Sequence, residues 1–143
     1  MKKRIFLFLL SYSISIKAQE DVEPFDMYGP PGVVFTTLAD ALKDVKIAYK
    51  VKIDNQFIDP KMLPKLGKLI NVQALQMTSN GLTQLPAEFK DLTNLLYFAC
   101  IGNEITSLPK DFGNLEQLTE LHLHSVKLDS LPSDFAYLKR LKA

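Results

Sequence analysis

The chain has one cysteine, Cys100, so no intrachain disulfide can staple it. It has no strong charge of either sign: 17 basic and 16 acidic residues leave a formal net of +1. Four of the basic residues (Lys2, Lys3, Arg4, Lys17) lie in the first 19 positions, where there are no acids. The remainder therefore carries 13 basic against 16 acidic residues, a net of −3. A mildly acidic body has no electrostatic reason to bind phosphate backbones, so a nucleic-acid partner is not expected. There is no glycine-rich phosphate loop and no G-x-S-x-G elbow. Without a site of that kind no enzymatic activity and no cofactor is assigned. Composition is otherwise ordinary, with 47% hydrophobic and 23% charged residues, which indicates neither a disordered chain nor a membrane bundle.

A long apolar run is also lacking. Ile5 to Ile16 (IFLFLLSYSISI) is mostly apolar but carries three serines and is shorter than the ~20 residues a spanning helix needs. It follows the basic Lys2-Lys3-Arg4 and precedes Lys17-Ala18-Gln19, the layout of a secretory signal over 1–19. The expectation is export, to the outside or to a periplasm, with no membrane association once the signal is removed.

What is present is a phrase that returns every 23 residues. It begins as Val72, Leu75, Met77, Asn80, Leu82, Leu85, Pro86, Phe89 and Leu92. It recurs as Leu95, Phe98, Cys100, Asn103, Ile105, Leu108, Pro109, Phe112 and Leu115, then as Leu118, Leu121, Leu123, Val126, Leu128, Leu131, Pro132, Phe135 and Leu138. A fixed period with apolar residues in fixed slots marks stacked repeats, each burying its face against the next. A degenerate first unit, with Ala48, Val51, Ile53, Gln56 and Ile58, gains one residue near Pro60. The units are thus 48–71, 72–94, 95–117 and 118–140, with the start of a fifth at Leu141.

Ahead of them, 20–35 reads as a flexible or extended lead-in, acidic and then rich in proline and glycine. Over 36–47 a capping helix is expected, from about Leu38 to Lys46, with Thr37 and Asp40 as its capping box. Leu38, Ala41, Leu42 and Val45 share one face and would cover the open end of the stack.

Alternation places Leu118, Leu121 and Leu123 toward the core and Glu120, His122 and His124 outward. Asn80 and Asn103 should satisfy backbone groups where the chain leaves each strand. Val126 fills that slot in the last unit without a hydrogen bond, so a looser turn is expected there. Pro86, Pro109 and Pro132 should open the return segments, and Phe89, Phe112 and Phe135 should form a packed column.

The pattern, with its LPAEF, LPKDF and LPSDF segments, resembles the leucine-rich repeat family over about 48–143, and within it the 23-residue subtype. The resemblance implies an α/β solenoid with a concave parallel β-sheet, convex loops or short helices, and a protein ligand, or a glycan, bound on the concave face. The residues expected on that face are Lys50, Lys52, Gln73, Gln76, Leu96, Tyr97, Ile101, Glu120, His122 and His124. Leu96, Tyr97 and Ile101 are apolar where no apolar residue is needed, which suits a contact centre. Glu120, His122 and His124 share a face and can in principle hold zinc. Their neighbours Tyr97, Ala99 and Ile101 are poor ligands, so no metal is assigned. Cys100, of opposite parity to His122, is a buried filler and not a nucleophile. A second reading comes from Leu141-Lys142-Ala143, which offers no polar cap: a fragment of a longer solenoid, or a piece that self-associates end to end with a structural role.

Overall fold

The computed structural model describes residues 25, 28–124 and 126–142. The expected signal at 1–19 and the first residues of the lead-in lie outside them. Five strands form one sheet in the order of the chain: β1 (Val34–Phe35), β2 (Lys50–Asp54), β3 (Ala74–Thr78), β4 (Tyr97–Ala99) and β5 (Glu120–His122). All neighbours are parallel. Lys50 pairs with Ala74, Ala74 with Tyr97, and Tyr97 with Glu120, steps of 24, 23 and 23. The longer first step is the extra residue near Pro60. From β2 to β5 each strand thus repeats its neighbour's position one turn later, which makes a solenoid.

The inward slots do what their apolarity demands. Val51, Leu75 and Phe98 lie in one row and are fully buried, as are Met77 and Cys100. Leu121 and Leu123 at the last turn are only partly buried, although packed on the same core. The turns that follow β2, β3 and β4 each hold a residue of left-handed conformation: Asn55 at φ 53°, Ser79 at φ 52° and Gly102 at φ 65°. Glycine adopts this conformation without steric cost. At Gly102 it is needed twice over, since a Cβ would come 2.8 Å from Ser79 Oγ.

The asparagine slots follow at once. Asn103 Oδ1 accepts from the N–H groups of Asn80 (3.0 Å) and Leu82 (3.1 Å), and its Nδ2 donates to Met77 O (2.8 Å). Asn80 Nδ2 donates to Gln56 O at 2.9 Å, and Gln56 Nε2 in turn donates to Thr36 O at 2.8 Å. Val126 has no acceptor for the equivalent N–H groups of Asn103 and Ile105. The looser turn expected there involves Ser125, which is outside the described residues. A second ladder escaped the sequence reading: Asn71 Nδ2 donates to Lys46 O (3.2 Å) and Asn94 Nδ2 to Ile70 O (2.8 Å).

The return segments are 3-10 helices at Leu63–Lys68, Ala87–Asp91, Phe112–Asn114 and Ser133–Tyr137. The carbonyls of Pro86, Pro109 and Pro132 accept from the N–H groups of Phe89, Phe112 and Phe135, closing the first turn of each return. The three phenylalanines form the expected column, with ring centroids 5.8 and 6.3 Å apart and planes within 9° of parallel.

Helix α1 spans Leu38–Lys43, shorter than the stretch to Lys46 that the apolar spacing predicts. Thr37 Oγ1 caps it, accepting from Asp40 N at 3.1 Å and donating to Asp40 Oδ2 at 2.8 Å. Asp44 already leaves helical space at φ −138°, ψ 67°. Asn71 takes the carbonyls of Val45 and Lys46, so those groups no longer depend on a continuing helix. Leu38 and Ala41 are buried in the main core, with Leu42 and Val45 packed against it.

Candidate functional site

The pleat sends every second strand residue to the opposite face of the sheet, away from the main core. Parallel register arranges these residues in rows. The first row is Lys50, Ala74, Tyr97 and Glu120, and the second is Lys52, Gln76, Ala99 and His122. A third begins with Asp54 and Thr78 and continues past the strand ends through Ile101 and His124, tied by Ser79 N to Ile101 O (2.8 Å) and Gly102 N to His124 O (3.0 Å). Gln73 and Leu96 each lie one residue before their strand, where their carbonyls accept the first N–H groups of the next repeat. They flank the rows and are not members of them.

The first row is not open, which corrects the expectation that it presents free side chains. Tyr97 is 5% exposed and Lys50 6%. Two residues of the lead-in cover Tyr97. Phe25, 1% exposed, packs with Ala74, Tyr97 and Ala99 in a small core of their own, and Tyr28 and Ile101 border it. The Phe25 ring meets Tyr97 edge-on at 6.1 Å, and Tyr28 stacks on Tyr97 at 5.6 Å. Lys52 Nζ sits 5.8 Å above the Phe25 ring, on its electron-rich face. Tyr28 Oη donates to Glu120 Oε1 at 2.5 Å, and the Thr119 hydroxyl donates to Tyr28 Oη at 3.3 Å. Burial and the Glu120 carboxylate both hold the Tyr28 phenol above its usual pKa.

The lead-in was expected to be flexible or extended. Val34–Phe35 is indeed extended, but it is paired as β1, and Phe25 and Tyr28 are packed. One signal in the sequence pointed to this. Ala74 and Ala99 are small residues in outward slots beside Tyr97, leaving room for rings, and the lead-in carries three aromatics, of which Phe35 packs against the main core and Phe25 and Tyr28 do not.

The rest of the face is more open. Gln76 Nε2 donates to Asp54 at 3.0 and 3.2 Å, joining two strands. His122 lies 3.5 Å from Glu120 Oε2, and its ring is 5.2 Å from Tyr97 and 6.0 Å from His124. Burial, and then His122, lower the His124 pKa. The Glu120 carboxylate is thus shared between Tyr28 and His122. Among the described residues no group of three or more His, Cys, Asp or Glu side chains is arranged to hold a metal ion. Cys100 lies on the other side of the sheet, fully buried, with burial pushing its thiol up to about 12. A thiol so rarely ionised fills space and does not attack.

No protein-family model matches the chain, and no curated protein matches it in sequence. In fold it is similar to a solved leucine-rich repeat protein of Leptospira interrogans, 25% identical over 77% of this chain, with a TM-score of 0.55. The chain spans 34% of that protein's length. Parallel strands in steps of 23, an asparagine ladder behind them, and a convex column of phenylalanines agree with that likeness: the chain is a leucine-rich repeat protein.

Proposed function

We propose that the chain is an exported, non-catalytic module of the 23-residue repeat subtype that captures a protein ligand on the concave sheet. The observation that carries the reading is the composition of the second and third rows. Lys52, Asp54, Gln76, Thr78, Ile101, His122 and His124 are all at least partly exposed there, with an aliphatic side chain among polar ones. Nothing in core packing calls for that mixture, whereas a contact centre rimmed by polar groups needs it. Export rests on the 1–19 segment alone. Capture from the extracellular fraction with the purified chain tests the reading, using a Gln76→Ala/Ile101→Asp/His124→Ala variant. The partner should be retained by the parent chain and lost by the variant while both keep the same circular dichroism. Retention by the variant refutes the concave site, and a glycan in place of a protein corrects the ligand class.

A second reading is favoured by the last turn. Leu121, Leu123, Leu128, Leu131 and Leu141 are only partly buried around it. Apolar side chains on an end of this kind can stack on another copy or on further repeats. Light scattering over a concentration series tests self-association; a strict monomer rejects it.

A further inference from the structure

The concave face holds something already, and the occupant describes the ligand. Phe25 and Tyr28 form a cluster separate from the main core, on the opposite face of the sheet. Tyr28 N donates to Phe25 O at 3.5 Å, a hydrogen bond between the two residues that carry the rings. Both rings therefore reach Tyr97, one edge-on and one stacked. Ala74 and Ala99 make the recess, Lys52 reaches over the phenyl ring, and Glu120 and Thr119 meet the phenol. This is a built site with three kinds of recognition: an apolar recess, a cation over one ring, and a carboxylate acceptor for a hydroxyl.

The segment joins the solenoid through Gly29, Pro30, Pro31 and Gly32, of which the last three are exposed. Gly29 stands at φ 77°, and a Cβ placed at Gly32 would touch nothing within 4 Å. The joint therefore lies against Tyr49, Lys50 and Gln73 at Gly29 and is open at Gly32. Only a few residues separate Tyr28 from β1, so the tether keeps the rings at an effective concentration of about millimolar.

We infer that Phe25 and Tyr28 are a displaceable internal ligand of the concave face, and that the partner's anchor is a turn bearing two aromatic side chains three positions apart, the second with a hydroxyl. This rests on the concave face being the binding surface. The internal ligand keeps the recess dry in the free protein. A partner must then either outcompete it or dock on the open third row and displace it.

The test uses a fluorescent synthetic peptide of the chain's own sequence, Glu20–Pro31 (EDVEPFDMYGPP), and the full chain with Phe25→Ala and Tyr28→Ala together. The double variant should stay folded and bind the peptide. The parent chain should bind it at least about tenfold more weakly, because its own rings compete at about millimolar effective concentration. A peptide with both aromatics changed to alanine should not bind. A double variant that is folded but ignores the peptide overturns the inference. So does equal binding by the parent, and so does a double variant that cannot fold, which would make the rings part of the obligatory core. None of these outcomes decides whether the Gln76→Ala/Ile101→Asp/His124→Ala variant loses the captured partner, so failure here and failure of the binding reading are told apart.

Discussion

Tyr28 stacks on Tyr97 with ring centroids 5.6 Å apart, and its phenol ends on the Glu120 carboxylate in the next strand. One lead-in residue thereby touches two consecutive repeats. Tyr97 is for this reason not the free contact residue that its outward slot suggests.

Tyr97→Ala should remove the platform under both lead-in rings. Aromatic pairs of this kind contribute about 0.5–1.5 kcal/mol each beyond area burial, so a loss of about 1–3 kcal/mol is expected. Urea unfolding measures it. Limited proteolysis should show faster cleavage around Phe25 and Tyr28. A variant with unchanged stability and unchanged cleavage would mean that the rings are not seated in solution.

Asn103 and Asn80 occupy equivalent slots but do unequal work. Asn103 serves two backbone N–H groups and donates to Met77 O, whereas Asn80 Oδ1 is buried without a hydrogen-bond partner. Leaving buried polar groups unpaired costs about 1–3 kcal/mol each. Asn103→Ala should cost about 3 kcal/mol and Asn80→Ala only about 1. Val126→Asn, by supplying the missing acceptor, should raise the melting temperature. Equal losses in the two alanine variants would contradict the ladder.

Gly113 lies where two return segments meet. A Cβ there would come 2.1 Å from Asp134 O, and its N–H already donates to Asp134 Oδ2 at 2.6 Å. Gly113→Ala must push the last return segment outward, at a cost of about 1–3 kcal/mol. Amide exchange should quicken across Ser133–Tyr137 while β2 and β3 keep their protection. No change in either would show that the gap is wider than this.

Acid should act in two windows. The folded His124 has its pKa lowered from 6.5 by burial, so its neutral form is the favoured one in the fold. Its contribution is present above 6.5 and is lost as pH falls through the lowered value. Asp40 is held below 3.8 by Lys43 and Thr37, so its contribution disappears only at still lower pH. Between about pH 7 and about pH 5, His124→Gln should therefore flatten the decline in melting temperature. An unchanged slope would place the titrating group elsewhere. The raised Tyr28 phenol has the opposite sense: its contribution is present below 10.0 and is lost as pH rises through the raised value.

The rows of Val51, Leu75 and Phe98, the phenylalanine column and the asparagine slots were legible residue by residue. Each is a local pattern repeated at one period, and repetition leaves one way to bury all the copies. The end of α1 was less legible, because Asn71, from the next repeat, decides where its carbonyls find partners. The candidate site was half legible. Alternation assigned Lys52, Gln76, Ile101, His122 and His124 to the right face but could not show that Lys50 and Tyr97 on that face are covered.

The period of 23 by itself determined the stacked turns, the parallel sheet and the identity of the core, because every inward slot must find its partner one turn away. Only the tertiary structure decided what lies across the hollow of the sheet. Phe25 and Tyr28 lie outside the period, so no repeat register assigns them a partner. They are placed by the space that Ala74 and Ala99 leave beside Tyr97, and by Glu120, which accepts the Tyr28 hydroxyl from the far edge of the sheet.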